Sequence, residues 1–320
     1  MIDRISEMKR ERAKLYRYLC GLLIGLRSWP YKGYLLVLYC GIFGFGCHRE
    51  VSVQQNIVYR QVGDTQLELD LYFPPSKPKK PRPAVIVLHG GAWRHGDKGD
   101  MMEVAIKLAK RGYVVASVGY RFAPDWPFPA QLEDVQAAVR WLRQHAEEYQ
   151  IEPEKIGGLG ASAGAHLVAL LGLVDDASKP VSSKVACVVS LAGPADLRLP
   201  TCRTELANSP ELEVVEQWLF DFIGHPYNAE TDQLWRAASP LFHVTTEAAP
   251  FFMIHGIVDQ VVSIKQSEAL LKALKANRVK VELRLIPDLG HSLDVKPKVL
   301  YRFWQAIRAS FRFLDQHLKK

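Results

Sequence analysis

Cysteine is scarce in this sequence, and its few cysteines are not spaced for a metal site. The 320 residues include five cysteines, with no Cys-x-x-Cys pair and no His/Cys cluster at metal-ligand spacing. We therefore expect neither a disulfide framework nor a structural zinc, and we predict no metal and no other cofactor. Cys187 lies in the apolar stretch VACVVSLAG, which predicts a small buried core residue.

Excess positive charge is missing from most of the chain, although the whole sequence carries a formal charge of +7. Residues 1–33 hold eight Lys or Arg against three Asp or Glu, a net +5, which leaves +2 of that total for residues 34–320. A nearly neutral folded part argues against nucleic acid as a partner. Internal repeats are also absent, and the length fits one large domain after an N-terminal extension.

No apolar run reaches the roughly 20 residues of an ordinary membrane-spanning helix. The run YLLVLYCGIFGFG, Tyr34 to Gly46, has thirteen residues, follows two basic residues and ends at Cys47. It is typical of the apolar core of a signal peptide, and small residues before a cysteine resemble the cleavage box of bacterial lipoproteins, from which Phe45 departs. We predict that residues 1–47 are a signal peptide or a retained membrane anchor. The protein would then be exported to the periplasm or cell surface and tethered to the membrane.

A serine flanked by very small residues is the central motif of the chain. Gly160-Ala161-Ser162-Ala163-Gly164 follows the strand-like stretch KIGGL and precedes the apolar run HLVALLGLV, which predicts a buried helix. At such a strand-to-helix corner the chain doubles back, so the neighbours of the serine must have almost no side chain. The pattern predicts a nucleophile elbow that exposes the Ser162 hydroxyl at a helix N-terminus. The pentapeptide alone is a weak motif, and its weight depends on the rest of the chain.

Strand and helix patterns alternate along the chain after residue 57. Their order predicts a mostly parallel central sheet flanked by helices and opened by an antiparallel hairpin. The stretch 194–249 is long for a plain connection and contains the amphipathic segment Leu212 to Ile223, so we predict a small lid. The predicted strands are 57–60, 67–73, 84–88, 113–118, 155–161, 184–191, 251–255 and 279–286, and the predicted helices are 98–110, 131–149, 166–174, 263–276 and 298–318.

Three chemically suited side chains follow predicted strands in the order Ser, Asp, His. Ligand sites of parallel sheets lie outside the carboxyl ends of the strands, where the sequence has Ser162, Asp259 in HGIVDQVV, and His291 in PDLGHSL. A histidine accepts the serine proton, and a carboxylate fixes the tautomer of the histidine. We predict Ser162 as nucleophile, His291 as base and Asp259 as its acid partner. Alternatives for the acid remain at Asp196, Asp288 and Asp294.

A glycine-rich loop, HGGAW, follows the predicted strand 84–88. An oxyanion formed by attack on an acyl group needs preorganised N–H donors that are shielded from water. We predict that the N–H groups of Gly91, Ala92 and Ala163 are these donors, since the last directly follows the nucleophile.

Aromatic residues on two loops at the same edge of the sheet are candidates for substrate binding. We predict that Trp93, Trp126 and Phe128 offer ring faces to an aromatic or sugar group. The alternative is that these rings only pack the loops against the domain.

Five motifs together resemble a known superfamily. HGGAW, YRFAPDWPFPAQLED, GASAGAHLVAL, HGIVDQVV and GHSL occur in this order, and from about residue 57 onward the chain resembles the α/β-hydrolase superfamily. Within it, the sequence is similar to hormone-sensitive-lipase-type carboxylesterases and, more closely, to bacterial bifunctional feruloyl and acetyl-xylan esterases. The resemblance implies an α/β-hydrolase fold for residues 48–320 and the triad and oxyanion donors named above. Where lipase-type loops have a third glycine, this chain has Ala92, which keeps its N–H but narrows the acyl pocket.

The function that this resemblance implies is that of a serine carboxylesterase without a metal. Its substrates would be small-molecule or oligosaccharide esters with short or aromatic acyl groups, including acetyl or feruloyl groups on polysaccharide. Two alternatives remain open. One is a non-catalytic ligand-binding protein on the same scaffold, which would be expected to lose a triad member. The other is a serine peptidase or amidase of the same fold, whose relatives usually carry an N-terminal propeller.

Overall fold

One eight-stranded sheet carries the fold. The computed structural model describes residues 50–76, 80–292 and 296–320, which fall within one compact unit, Glu50–Lys320. The leader predicted at 1–47 and the alternative acid Asp294 lie outside the described residues. The strands are β1 (Ser52–Val62), β2 (Thr65–Phe73), β3 (Arg82–Leu88), β4 (Val114–Val118), β5 (Ile151–Ala161), β6 (Val188–Leu191), β7 (Phe251–Gly256) and β8 (Val281–Ile286).

The strands lie side by side in the order β1-β2-β4-β3-β5-β6-β7-β8. β2 runs antiparallel to β1 and to β4, and the strands from β4 to the β8 edge are parallel to one another. The β1–β2 pair is the predicted hairpin, which turns at Gly63. Parallel neighbours require crossover connections, and in this fold the crossovers carry the helices.

Helices cover both faces of the sheet. They are α1 (Met102–Lys110), α2 (Ala130–Gln144), α3 (Ala163–Leu173), α4 (Leu199–Glu205), α5 (Leu212–Ile223), α6 (Asp232–Ala237), α7 (Ile264–Ala276) and α8 (Pro297–Leu318), with 3₁₀ turns at Lys98–Met101 and Pro240–His243. The apolar core on one face contains residues of α2, α3, α5 and α7. The core on the other face contains residues of α1 and α8.

Strand β3 is apolar at successive positions because its alternate residues pack into the two different cores. Ala84, Ile86 and Leu88 belong to the first core, Val85 and Val87 belong to the second, and all five are fully buried. Successive side chains of a strand point to opposite faces, so a strand covered on both faces is apolar at every position. Each buried valine, leucine or isoleucine contributes about 1.5–3 kcal/mol to folding.

The strand order, the antiparallel second strand and the serine corner after β5 are those of the α/β-hydrolase fold, as the sequence predicts. Cys187 is fully buried, also as predicted. Two boundaries differ from the prediction. β6 begins at Val188 instead of 184, because the N–H of Val185 bonds to Leu171 in α3. α2 ends at Gln144 instead of 149, and the chain turns toward β5 through a left-handed Gln150 with φ of 54°.

The segment 194–249, predicted as a lid, contains three helices and a 3₁₀ turn. Its helix α5 has the bounds of the predicted amphipathic segment and buries Phe222 and Ile223, whereas Phe220 is exposed. A left-handed Gly224 with φ of 75° ends this helix. Among the residues that the structure describes, no helix combines the length and apolarity needed to cross a membrane.

Candidate active site

Ser162 lies at the corner between β5 and α3. Its φ of 52° and ψ of −119° fall where non-glycine residues are rare, at a cost of about 1–3 kcal/mol. A Cβ on Gly160 would lie 2.3 Å from the carbonyl oxygen of Gly164, so the corner closes only around glycine. The Ser162 N–H donates to Leu191 of β6 at 2.8 Å, and its carbonyl accepts the N–H of His166 at 3.0 Å. Neighbouring elements therefore hold the corner on both sides.

His291 reaches Ser162 from the loop that follows β8. Its Nε2 lies 2.9 Å from the Ser162 Oγ, and its Nδ1 lies 2.8 Å from Oδ2 of Asp259. Because a carboxylate only accepts, the proton of a neutral His291 belongs on Nδ1, and Nε2 is then free to accept from the serine hydroxyl. The structure brings together the three residues that the sequence selects, in the order that proton transfer requires.

Asp259 is buried and surrounded by donors. Its Oδ1 accepts the N–H groups of Val261 and Val262, each at 2.9 Å, and its side chain is not exposed to solvent. Burial raises the pKa of this carboxyl, but hydrogen bonds from His255 and His291 outweigh that effect and hold the pKa well below its usual range. The carboxylate is therefore ionised at neutral pH.

The other acids considered from the sequence have different surroundings. Asp196, after β6, pairs with Arg198 at 2.8 Å and accepts the Thr201 hydroxyl at 2.9 Å. Asp288 is exposed on the loop after β8. Among the described carboxylates, Asp259 is the one that contacts His291.

A second histidine, His255, lies behind Asp259 and was not found from the sequence. Its Nε2 is 2.9 Å from the Val262 carbonyl oxygen and 3.4 Å from Oδ2 of Asp259, and its Nδ1 is 2.7 Å from the Ser267 hydroxyl. The carbonyl can only accept, so Nε2 carries a proton that also faces the carboxylate. A signal was present, because His255 ends the strand pattern FFMIH four residues before Asp259.

The oxyanion loop, His89–Trp93, lies directly beside the elbow. A Cβ on Gly90 would come within 3.2 Å of the Ser162 Cβ, so the loop backbone approaches the nucleophile closely. Within the part of the chain that the structure describes, the N–H groups of Gly91, Ala92 and Ala163 donate to no protein acceptor. Such unpaired donors suit a ligand oxygen that carries negative charge.

The three aromatic candidates for substrate stacking do not share one environment. Trp93 and Phe128 are 4% and 9% exposed, and both rings pack against Phe222 of α5. For these two rings the structure agrees with the alternative stated from the sequence, that they pack against the domain, because helix α5 lies beside them. Trp126 is 38% exposed, and its ring lies 4.8 Å from the Arg121 guanidinium.

A cavity of about 100 Å³ opens beside Ser162 and His291. Its wall includes Leu191, Leu289 and Phe303, the last from α8. An apolar cavity of about 150 Å³ binds a benzene molecule in a well-studied case, so this cavity has room for a smaller group. The site therefore combines a hydroxyl that is hydrogen-bonded to a histidine, backbone N–H groups without a protein acceptor, and a small apolar recess.

The family profile named BD-FAE matches residues 69–274, which is more than half of the chain. The chain belongs to the BD-FAE family. The matched stretch contains Ser162, Asp259 and the oxyanion loop, and His291 follows it. The resemblance of the sequence to the esterases of the α/β-hydrolase superfamily is thereby confirmed.

Several proteins similar to this BD-FAE family member are named esterases or carboxylesterases. Esterase LipC of Mycobacterium tuberculosis is 32% identical over 260 residues, which cover 78% of this chain and 62% of LipC. The chain therefore spans less than two thirds of the length of this curated relative.

Two solved structures share the fold. The propionate-bound esterase Est2 of the Planctomycetes species Thermogutta terrifontis is 25% identical, with a TM-score of 0.67 over 84% of this chain and 94% of that chain. A truncated carbohydrate esterase from gut microbiota is 24% identical, with a TM-score of 0.70 over 85% of this chain and 98% of that chain.

Proposed function

We propose that this protein is a serine carboxylesterase that forms an acyl-enzyme at Ser162. The observation that carries the proposal is the hydrogen-bond chain from Ser162 through His291 to Asp259, with distances of 2.9 and 2.8 Å, at a strained elbow. A serine hydroxyl is a poor nucleophile at neutral pH and needs such a base. Membership in the BD-FAE family and similarity to proteins named esterases support the same activity.

The reaction follows from the positions of these groups. Oγ of Ser162 attacks the ester carbonyl carbon while its proton passes to Nε2 of His291, and the carbonyl oxygen becomes an oxyanion. When the tetrahedral intermediate collapses, the bond to the alcohol oxygen breaks and His291 returns the proton to the leaving alcohol. Water then attacks the acyl-serine with His291 again as base, which releases the acid and restores Ser162.

Two groups of atoms stabilise charge during these steps. The carboxylate of Asp259 holds the Nδ1–H of His291 and stabilises the imidazolium that forms at each proton transfer. The N–H groups of Gly91, Ala92 and Ala163 are the proposed donors to the oxyanion. Loss of one donor of this kind costs about 10²–10³ in kcat in other serine hydrolases.

We propose that the substrates are esters of small acyl groups, with acetyl groups on polysaccharide as one natural class. The cavity of about 100 Å³ next to Ser162 supports short aliphatic acyl groups. Est2, which is 25% identical, has been solved with propionate bound, and this also supports a short acid. A feruloyl group is larger than that cavity, so an aromatic acyl group needs space outside it.

The test uses purified full-length protein and p-nitrophenyl esters from acetate to decanoate, together with acetylated and feruloylated xylan fragments. We expect the highest kcat/KM for acetate to butyrate, and loss of both hydrolysis and fluorophosphonate labelling in Ser162→Ala. An unlabelled wild-type protein without hydrolysis would favour a ligand-binding protein on this scaffold. Amide cleavage faster than ester cleavage would favour the amidase alternative.

We also propose that the protein is exported and anchored through its N-terminus. The support is the thirteen-residue apolar run Tyr34 to Gly46, which precedes Cys47. A mature lipoprotein carries several acyl chains, whereas one chain alone binds membranes only marginally. Cell fractionation of wild type and Cys47→Ser tests this. Protein in the soluble cytoplasm with residues 1–46 intact would contradict export, and membrane association that survives Cys47→Ser would indicate a retained anchor.

A further inference from the structure

We propose that Trp93 is a positioning residue that holds the oxyanion loop in its donor geometry, a role that rests on the proposed esterase function. The proposal is based on the position of the Trp93 indole, which lies between Phe222 of helix α5 and His166 of helix α3. Trp93 then supports the reaction without contact with the substrate.

The oxyanion loop needs an external support because its backbone is strained. Three consecutive residues, Gly91, Ala92 and Trp93, have φ values of 113°, 51° and 57°. Glycine adopts such values readily, but alanine and tryptophan do not. Strained backbone of this kind persists only where the surrounding structure fixes it. The turn that follows is closed by the Gly91 carbonyl, which accepts the N–H groups of Arg94 and His95 at 3.0 and 3.1 Å.

The side chain of Trp93 supplies contacts on several sides. Its ring stacks on Phe222 with centroids 4.1 Å apart and meets the His166 ring edge-on at 5.1 Å. Its Nε1–H donates to Nδ1 of His166 at 3.2 Å, and its carbonyl accepts the N–H of Ala123 at 2.9 Å. A residue held by stacking, a hydrogen bond and a backbone bond cannot easily leave its left-handed conformation.

His166 is suited to accept this hydrogen bond. It is fully buried, and burial lowers its pKa to about 4, so the ring is neutral at physiological pH. Its Nε2 lies 2.7 Å from the Ala238 carbonyl oxygen, which requires the proton on Nε2 and leaves Nδ1 as the acceptor for Trp93. His166 is four residues after Ser162 on α3, so it links the loop to the nucleophile.

Phe222 is equally well fixed. It is fully buried, and its carbonyl accepts the Phe128 N–H at 2.7 Å. The preceding residue, Asp221, forms a salt bridge of 3.1 Å with Arg94, the residue after Trp93. The end of α5 therefore contacts Trp93, the last residue of the oxyanion loop, and Arg94, which follows it. It follows that this part of the predicted lid is a fixed support of the loop.

The main test compares Trp93→Leu and Trp93→Phe with wild type, all as full-length protein. Displaced donors weaken the binding of the transition state more than that of the substrate. We expect kcat for p-nitrophenyl acetate to fall about 10- to 100-fold in Trp93→Leu with KM within about twofold, and to fall less in Trp93→Phe, which keeps a stacking ring. The Ki of a trifluoromethyl ketone, which forms an oxyanion on the serine, should rise by the same factor as kcat falls.

Trp141→Phe is the matched control, because Trp141 also stacks on a histidine, His145 at 4.2 Å, but lies on α2 away from the loop. It should keep wild-type kcat, KM and Ki. Unchanged kcat in Trp93→Leu would overturn the proposal. A raised KM with unchanged kcat would also overturn it and would restore the predicted contact with substrate.

Hydrogen exchange of the peptide that spans residues 89–96 provides a readout that needs no catalysis. Exchange should be faster in Trp93→Leu than in wild type and unchanged in Trp141→Phe. Unchanged exchange in Trp93→Leu would refute the role of Trp93 in holding the loop, even if the protein hydrolysed no ester. A wild type without ester hydrolysis would refute the proposed function alone. If Trp93→Leu does not fold, the same measurements on Trp93→Phe and Phe222→Leu decide the matter.

Discussion

Replacement of Asp259 by asparagine should lower kcat by about four orders of magnitude, the loss seen when a triad histidine is held in the wrong tautomer. The donors around the carboxylate explain why an amide cannot replace it. Oδ1 accepts the N–H groups of Val261 and Val262, both at 2.9 Å, so the amide oxygen must take that position. The NH₂ group then faces Nδ1 of His291 and requires it to be unprotonated. The ring proton moves to Nε2, where Ser162 needs an acceptor.

A 10⁴-fold loss corresponds to about 5.5 kcal/mol of transition-state stabilisation. It should appear in kcat with little change in KM, because the Asp259 side chain is buried behind His291, where a substrate does not reach it. Asp288→Asn is the matched control, since it makes the same change at an exposed position of the loop that carries His291 and should leave kcat unchanged. Turnover of Asp259→Asn within tenfold of wild type would refute this reasoning. A large loss in Asp294→Asn instead would assign the acid to that residue.

Two further changes test a buried ion pair and the small cavity. Asp134→Asn removes a fully buried carboxylate that accepts two hydrogen bonds of 2.8 Å from the Arg121 guanidinium, and should lower the free energy of unfolding in urea by about 3–5 kcal/mol. Glu103→Gln at an exposed ion pair should change it by less than about 1 kcal/mol, and equal effects would contradict the reasoning. Phe303→Ala enlarges the small cavity and should raise the hexanoate-to-acetate ratio of kcat/KM about tenfold. Tyr301→Ala, exposed on the same helix, should leave that ratio unchanged, and an unchanged ratio in Phe303→Ala would place the acyl group elsewhere.

Much of the fold could be predicted because its signals are local. The buried run of β3 and the corner around Ser162 depend on residues next to one another in the chain, namely apolar side chains at every strand position and glycine where a Cβ cannot fit. The proximity of Ser162, Asp259 and His291 could also be predicted, because each follows a predicted strand and parallel strands end at one edge of the sheet. Local sequence signals are therefore enough to name the candidate residues.

The surroundings of those residues could not be predicted, because they depend on contacts between distant parts of the chain. Trp93 lies in a motif that fits a substrate-binding ring as well as a packed one, and its packing depends on His166, 73 residues away, and on Phe222. The choice of Asp259 over Asp196 likewise depends on which strand-end loop turns toward His291. His255 ends a strand four residues before Asp259, but this position alone does not separate a core histidine from a support for the acid.

The two strained parts of the site share one support, and this matters for catalysis. The first turn of α3 holds Ser162 through the bond from the His166 N–H to its carbonyl, and the ring of the same His166 accepts the hydrogen bond from Trp93. Gly90, at the start of the oxyanion loop, also packs directly against the elbow. We therefore expect a movement of α3 to shift Ser162 and the proposed oxyanion donors together, which would limit changes in the distance between them. Reaction rate depends on that relative geometry, where an error of about 1 Å can cost 10²-fold. We therefore expect the contacts of His166 with both segments to matter for turnover.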